Sequence, residues 1–194
     1  VNAAAFFDRD GVVNELVPHP GSGLPESPLD PAEVALIAGA ADGLRRLRDA
    51  GYLLVGVSNQ PAAAKGTVSL ATLEAVQRRV LELLRHEGVE PDGFRLCLHH
   101  PAAVVPELAG PCDCRKPAPG MLLDAARELD IELGSSWMIG DTDDDAAAGA
   151  AAGCRTVLIE NTASRHKRRG AARPDLRAAD LADAADRMLV SGSR

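Results

Sequence analysis

The sequence predicts an α/β fold with a central parallel sheet and helices on both of its faces. Short apolar segments, mostly bounded by Gly, Asp or Asn, alternate with longer segments of helical period. No internal repeat or low-complexity linker divides the 194 residues, so one domain over 1–194 is expected. Groups able to do chemistry recur directly after the apolar segments, where open parallel sheets gather their ligands.

Each element has its own signal. "AAAFF" (Ala3–Phe7) reads as the first buried strand. The Pro/Gly-rich stretch 17–31 reads as a covering loop. "GAADGLRRLRDAG" spaces Leu44 and Leu47 three apart and stops at Gly51, a helix ending in glycine. "YLLVGVS" (Tyr52–Ser58) is the second strand. "SLATLEAVQRRVLELLRHEG" puts Leu73, Val76, Val80, Leu83 and Leu84 on one stripe. "FRLCL" (Phe94–Leu98) is the third strand, and "PGMLLDAARELD" a helix with Pro119 near its first turn. "WMIG" (Trp137–Gly140) and "RTVLIE" (Arg155–Glu160) are strands flanking "DDDAAAGAAAG", whose leading acids suit a helix N-terminus. A terminal helix is expected at "LADAADRML", within a C-terminal extension over 161–194.

Composition narrows the function. At 46% hydrophobic and 25% charged the chain is ordinary globular material, and with 3% aromatic residues its core must be Leu, Val, Ile and Ala. No apolar run approaches the roughly 18–20 residues of a bilayer span, so no membrane partner is expected. The start, "VNAAAFFDRDGVVN", lacks the basic flank of a signal peptide; a cytoplasmic location is expected, with cysteines reduced and readier for metal than for disulfides. A net charge of −7 disfavours non-specific nucleic-acid binding. The basic run "RHKRRGAAR" (Arg165–Arg173) reads either as a solvated connector or as a patch for a polyanion.

Four loops carry the chemistry. "DRDG" after the first strand places Asp8 and Asp10 two apart, on one side if the strand alternation continues; alone, it also fits a turn with two solvated acids. "SNQ" after the second strand offers Ser58, Asn59 and Gln60 to an oxyanion; alone, it also fits a polar turn. "RKP" brings Arg115 and Lys116, and "GDTDDD" brings Asp141 and Asp145 around a tight turn into a helix. Carboxylates crowded at one sheet edge repel unless a cation lies among them, and an all-oxygen set with waters and a substrate phosphate suits Mg²⁺. Such an ion shields an anionic phosphate from an anionic nucleophile.

"FFDRDGVVN", "GVSNQ", "CRKPAPGM" and "IGDTDDDAAAGAAAG" resemble, in order, the four motifs of the haloacid dehalogenase (HAD) superfamily of phosphatases. Within it the chain resembles the histidinol-phosphatase/heptose-bisphosphatase subfamily, from about Phe6 to Ile159. The resemblance implies a HAD-like Rossmannoid three-layer sandwich, with no insertion large enough for a separate cap domain. It implies that Asp8 attacks phosphorus and becomes an aspartyl-phosphate, and that Asp10 protonates the leaving oxygen and then deprotonates water. It further implies that Asp8, Asp141 and the backbone carbonyl of Asp10 hold Mg²⁺. Ser58 and Lys116 would grip the phosphoryl group, Asn59, Gln60 and Arg115 would position substrate, and Asp145 would orient the network.

Cys97, His99, Cys112 and Cys114 form a set of soft ligands in the segment 97–114, open to zinc, to free thiols or to a disulfide. The C-x-H…C-x-C spacing resembles the subfamily's zinc loop, which implies structural Zn²⁺ with all four positions filled. His100 reads as a loop histidine and Cys154 as a buried small residue. A zinc-bound loop would aim Arg115 and Lys116 at the phosphate.

The long gap between His100 and Cys112 resembles the heptose branch more than the histidinol branch. The expected substrate is therefore a small phosphorylated sugar, D-glycero-D-manno-heptose 1,7-bisphosphate, losing its 7-phosphate, on a monomeric enzyme. Three places depart from the family pattern: "SNQPAAAKG" has Pro-Ala where a small flexible pair is usual, Thr142 stands where heptose enzymes commonly carry Lys, and the 17–31 loop is longer.

Overall fold

The computed structural model describes residues 1–191. In chain order the strands are β1 (Ala4–Phe7), β2 (Val17–Pro18), β3 (Pro25–Glu26), β4 (Leu53–Asn59), β5 (Gly93–Cys97), β6 (Trp137–Gly140), β7 (Arg155–Ile159) and β8 (Leu176–Ala178). The helices are α1 (Ala40–Asp49), α2 (Leu70–His86), α3 (Gly120–Leu129), α4 (Asp143–Ala152) and α5 (Leu181–Ser191). Six strands form one parallel sheet in the order β5-β4-β1-β6-β7-β8, and β2 and β3 form a separate antiparallel hairpin.

The period-two pattern of β1 shows why helices lie on both faces. Ala5 and Phe7 point into a layer with Leu44 and Leu47 of α1, Val76, Val80 and Leu84 of α2, and Leu181 and Met188 of α5. Ala4 and Phe6 point the other way, toward Met121, Leu122 and Ala125 of α3 and Ala148 of α4. A strand buried on both faces cannot alternate with polar residues, which is why these strands read as short continuous apolar runs.

Local chemistry sets the helix ends. Ser69 caps α2 by accepting from the Thr72 amide at 3.0 Å. At α4, Thr142 and Asp145 form a reciprocal capping box, and Gly153 ends the helix in the left-handed conformation at φ 88°.

The structure differs from the sequence reading in three places. The covering loop contains the β2–β3 hairpin, closed by the His19 amide donating to the Leu24 carbonyl at 2.8 Å. A sixth strand, β8, pairs with β7 and is pinned by Asp175, which accepts from the Thr156 amide at 2.8 Å and hydroxyl at 3.0 Å. The C-terminal segment is also part of the core, since Leu181, Ala184, Ala185 and Met188 of α5 are all fully buried. No helix among the described residues is long and apolar enough to cross a membrane.

The chain winds outward from β1 in both directions, through β4 to β5 and through β6 to β7 and β8. The winding therefore reverses at β1, and the crevice beyond its carboxyl end is where such folds place a ligand.

Candidate active site

A cavity of about 640 Å³ opens at this crevice. Asp8, Asp10, Ser58, Asn59, Gln60, Arg115, Lys116, Asp141 and Asp145 all line it, so one cavity gathers all four loops.

Lys116 is the hub. It is 2% exposed, and its ammonium lies 2.9 Å from Asp8 Oδ1 and 2.6 Å from Asp145 Oδ1 while donating to the Val57 carbonyl at 2.7 Å. Burial works against its charge, but Asp145 and Asp8 outweigh it and hold the lysine protonated far above neutrality. The loop is fixed from β4: the Asn59 side chain donates to the Lys116 carbonyl and accepts from its amide, each at 3.0 Å. The amide of Asn59, expected to position substrate, is thus engaged in positioning the lysine.

Asp145 serves two elements at once. Its Oδ2 accepts from the Thr142 amide at 3.0 Å and hydroxyl at 2.6 Å, while Oδ1 faces Lys116. The helix cap and the buried lysine are therefore tied to one carboxylate.

Asp8 and Asp10 share the cavity but sit in different networks. Asp10 receives Arg9 as a two-pronged fork at 3.1 and 3.0 Å, the Asn14 amide at 2.9 Å and the Gln60 amide at 2.5 Å. Burial raises its pKa, but the Arg9 charge and these hydrogen bonds prevail and hold it below the usual carboxylate range. Asp8 is pushed upward by burial, with Lys116 opposing and Asp145 and Asp10 reinforcing. The Asp10 side chain does not join the carboxylates that gather around Asp8. That cluster is Asp8, Asp141 and Asp145, each offering an oxygen within 4.8 Å of the others.

Arg9 is a component that sequence reasoning missed. It is fully buried, and its third contact is a donation to the side-chain Oε1 of Gln77 on α2 at 3.1 Å. Ser58 accepts from Gln60 at 3.0 Å, so Gln60 connects the hydroxyl to Asp10.

The cluster fits a hard divalent cation. Asp141 Oδ1 is buried without a hydrogen-bond donor, and the buried Asp8 Oδ1 and Asp145 Oδ1 share the single Lys116 ammonium. Asp141 is pushed up to about 8 by burial and then by the charges of Asp145 and Asp8. Three buried carboxylates sharing one ammonium, with Asp8 and Asp141 both pushed upward, are what a divalent cation relieves. Gly11 makes room for this: at φ +84° a side chain is disfavoured, and a Cβ there would lie 2.2 Å from Asp141 Oδ2.

The soft set lies apart from the cavity. Sulfur separations are 2.9 Å for Cys97–Cys114, 3.5 Å for Cys112–Cys114 and 3.8 Å for Cys97–Cys112. His99 Nδ1 lies 3.4 Å from Cys114 and 3.9 Å from Cys97. Tetrahedral ligation with zinc–sulfur bonds of about 2.3 Å gives edges of about 3.8 Å, close to the Cys97–Cys112 and Cys112–Cys114 separations, while Cys97 and Cys114 lie closer together than that. All four cysteines are free, which excludes the disulfide reading in this structure. Burial and the two neighbouring thiols push Cys114 far up, so its ionisation needs a cation. His100 stays out, its Nδ1 accepting from the Ala102 amide at 3.0 Å. Burial alone pushes Cys154 up to about 12, leaving an inert thiol. Arg115 donates to the His99 carbonyl at 3.2 Å, which couples the cysteine loop to the segment that carries Lys116.

The basic run is a largely solvated connector, with Arg165, Arg169 and Arg173 exposed, but it is anchored at defined points. The Arg168 guanidinium reaches the carbonyls of Asp141 at 3.2 Å and Ile159 at 3.3 Å, and Asp143 accepts from the amides of Arg169 and Ala172. Lys167 turns into the cavity wall.

Comparison with known proteins agrees with this arrangement. The HAD-hydrolase-like family profile matches residues 113–184. D-glycero-beta-D-manno-heptose-1,7-bisphosphate 7-phosphatase of Yersinia pestis is 37% identical over 180 residues, covering 93% of this chain and 92% of its own. The enzyme of that name from Escherichia coli K12 is 38% identical over 159 residues, 82% of this chain and 79% of its own. Among solved structures, the D,D-heptose 1,7-bisphosphate phosphatase of B. bronchiseptica, complexed with magnesium and phosphate, superposes with a TM-score of 0.75. It is 29% identical and covers 97% of this chain and 99% of its own.

Proposed function

The chain belongs to the HAD-like hydrolases and is a phosphomonoester hydrolase, and on that premise we propose that it removes the 7-phosphate of D-glycero-D-manno-heptose 1,7-bisphosphate through a phosphorylated Asp8. The observation that carries this reading is the placement of Asp8 at the switch point, 2.9 Å from a buried lysine and within 4.8 Å of two further carboxylates. The relatives' names supply the sugar.

Each residue's part follows from its surroundings. The Asp8 carboxylate attacks phosphorus, and the bond from phosphorus to the sugar oxygen breaks. Lys116 and the Ser58 hydroxyl face the transferring oxygens and stabilise their charge. Asp10 delivers a proton to the departing sugar oxygen, for which it must leave the Arg9 fork and carry that proton. In the second half Asp10 returns as a carboxylate, the form its neighbours favour, and takes the proton of the water that cleaves the aspartyl-phosphate. Asp8 and Asp141, with the main-chain carbonyl of Asp10, would hold Mg²⁺, which neutralises charge between nucleophile and phosphate. Zn²⁺ on Cys97, His99, Cys112 and Cys114 would fix the loop that carries Arg115 and Lys116.

Phosphate release measured side by side on the heptose bisphosphate, its monophosphates and histidinol phosphate tests the substrate. A clear excess of kcat/KM for the bisphosphate is expected. A tenfold preference for histidinol phosphate would instead assign the chain to the other branch.

A further inference from the structure

We infer that Lys167 recognises the phosphate that is not transferred, and that Glu26 is the resting partner it leaves in order to do so. This deepens the reading of the chain as a sugar bisphosphatase and rests on it.

Both side chains line the cavity, and Lys167 Nζ sits 2.7 Å from Glu26 Oε2. The pair joins two segments that the four motifs do not include, the β2–β3 hairpin and the turn Arg165–Lys167. Its members are 25% and 38% exposed, so solvent weakens the pair and exchange of partner is easy.

Among the described residues, four cationic side chains line the cavity: Lys65, Arg115, Lys116 and Lys167. Lys116 is committed to Asp8 and Asp145, and Arg115 donates to the His99 carbonyl. Lys65 is exposed and follows β4. Lys167 follows β7, on the other side of β1, lines the same cavity as Asp141, and is followed by Arg168, whose guanidinium donates to the Asp141 carbonyl at 3.2 Å. It therefore stands beside the reaction centre, on the wall opposite the loop of Ser58.

The backbone beneath it is fixed. Its amide donates to the Ser164 carbonyl at 2.9 Å, the buried Ser164 hydroxyl donates to Asn161, and neighbouring Arg168 is anchored on Asp141 and Ile159. Only the lysine side chain has to move.

A phosphate dianion attracts an ammonium more strongly than one carboxylate does. Glu26 then supplies selectivity: it repels anions that bring no second phosphate, and gives up its lysine to one that does.

The test uses the reaction product that keeps the second phosphate, D-glycero-D-manno-heptose 1-phosphate, titrated calorimetrically with Mg²⁺ present, beside KM for the bisphosphate. Lys167→Met is expected to weaken product binding and raise KM about tenfold, with kcat changing less, while Lys167→Arg restores most of the loss. Glu26→Gln is expected to move affinity the opposite way, tightening it about twofold to fivefold. If Glu26→Gln weakened binding in step with Lys167→Met, the pair would be a structural latch and the inference would fail. A loss carried by Lys65→Met instead, or no product binding to the unmodified chain, also overturns it. Product binding needs no turnover, so a chain that bound product but failed to hydrolyse the bisphosphate would refute the functional reading alone.

Discussion

Two ligand clusters lie within one loop of each other and are built on opposite plans. Asp8, Asp141 and Asp145 come from two strand ends and a helix cap, are buried, and face an open cavity. Cys97, His99, Cys112 and Cys114 come from one strand end and the loop that follows it, and none of them lines that cavity. The carboxylates already hold a lysine and leave Asp141 Oδ1 without a donor, whereas the thiols face one another. A site that is strained and open can exchange ligands and do chemistry. One that closes on itself can only hold shape.

Substitutions can break this division, and the largest effect belongs to the open cluster. Asp8→Asn is expected to reduce turnover about 10⁴-fold or more, because no neighbouring group can replace the nucleophile. Zinc content and fold should be unchanged, by metal analysis and circular dichroism. Loss of zinc in this variant would show that the clusters are not separate.

Lys116→Met comes next. It strands Asp8 and Asp145, both buried, without their counter-ion, and should cost about 3–5 kcal/mol of metal-free stability. Added Mg²⁺ should recover part of that loss in thermal melts. A variant as stable as the parent without metal would mean that the carboxylates are protonated together and need no cation.

Cys112→Ser probes the closed cluster. Zinc per chain should fall, and kcat/KM should drop about 10–100-fold, since the disturbance reaches Lys116 only through the backbone of the loop. Full zinc and unchanged stability would end the scaffold reading.

The smallest effect is a pH dependence. Asp141 sits near 8 against an ordinary 3.8, so below about 8 Mg²⁺ must displace a proton from it. Apparent Mg²⁺ affinity should therefore rise with pH, by up to about tenfold per unit, and level off above that value. Without metal the sign reverses for stability. Between about 4 and 8 the folded state binds more protons than the unfolded one, so this group makes the chain less stable as pH rises. Isothermal titration and melting curves across that range read both slopes.

What the sequence made legible follows the same contrast. Buried strands announce themselves as apolar runs, and Asp8, Ser58 and Asp141 were findable because each falls at or just past a strand end. The soft ligands were findable because their residue types are scarce. β8 was not, because Leu176–Ala178 is three residues with a central arginine, held by the Asp175–Thr156 hydrogen bonds rather than by a hydrophobic signal. Arg9 looks like turn filler until its guanidinium is seen buried against Asp10 and Gln77. Lys167 is one cation in a run of several, and only the tertiary path of that run turns it toward Glu26. Asn59 was legible as a site residue, but its engagement with the Lys116 backbone belongs to the folded loops alone.

The central claim is that Asp8 carries the phosphoryl group between the two halves of the reaction. Substrate labelled in its 7-phosphate, mixed with excess enzyme and quenched in acid within the first turnover, reads this directly. The label is expected on the peptide containing Asp8, released by hydroxylamine and missing from Asp8→Asn. Turnover without protein-bound label, or with label on another residue, would contradict the account.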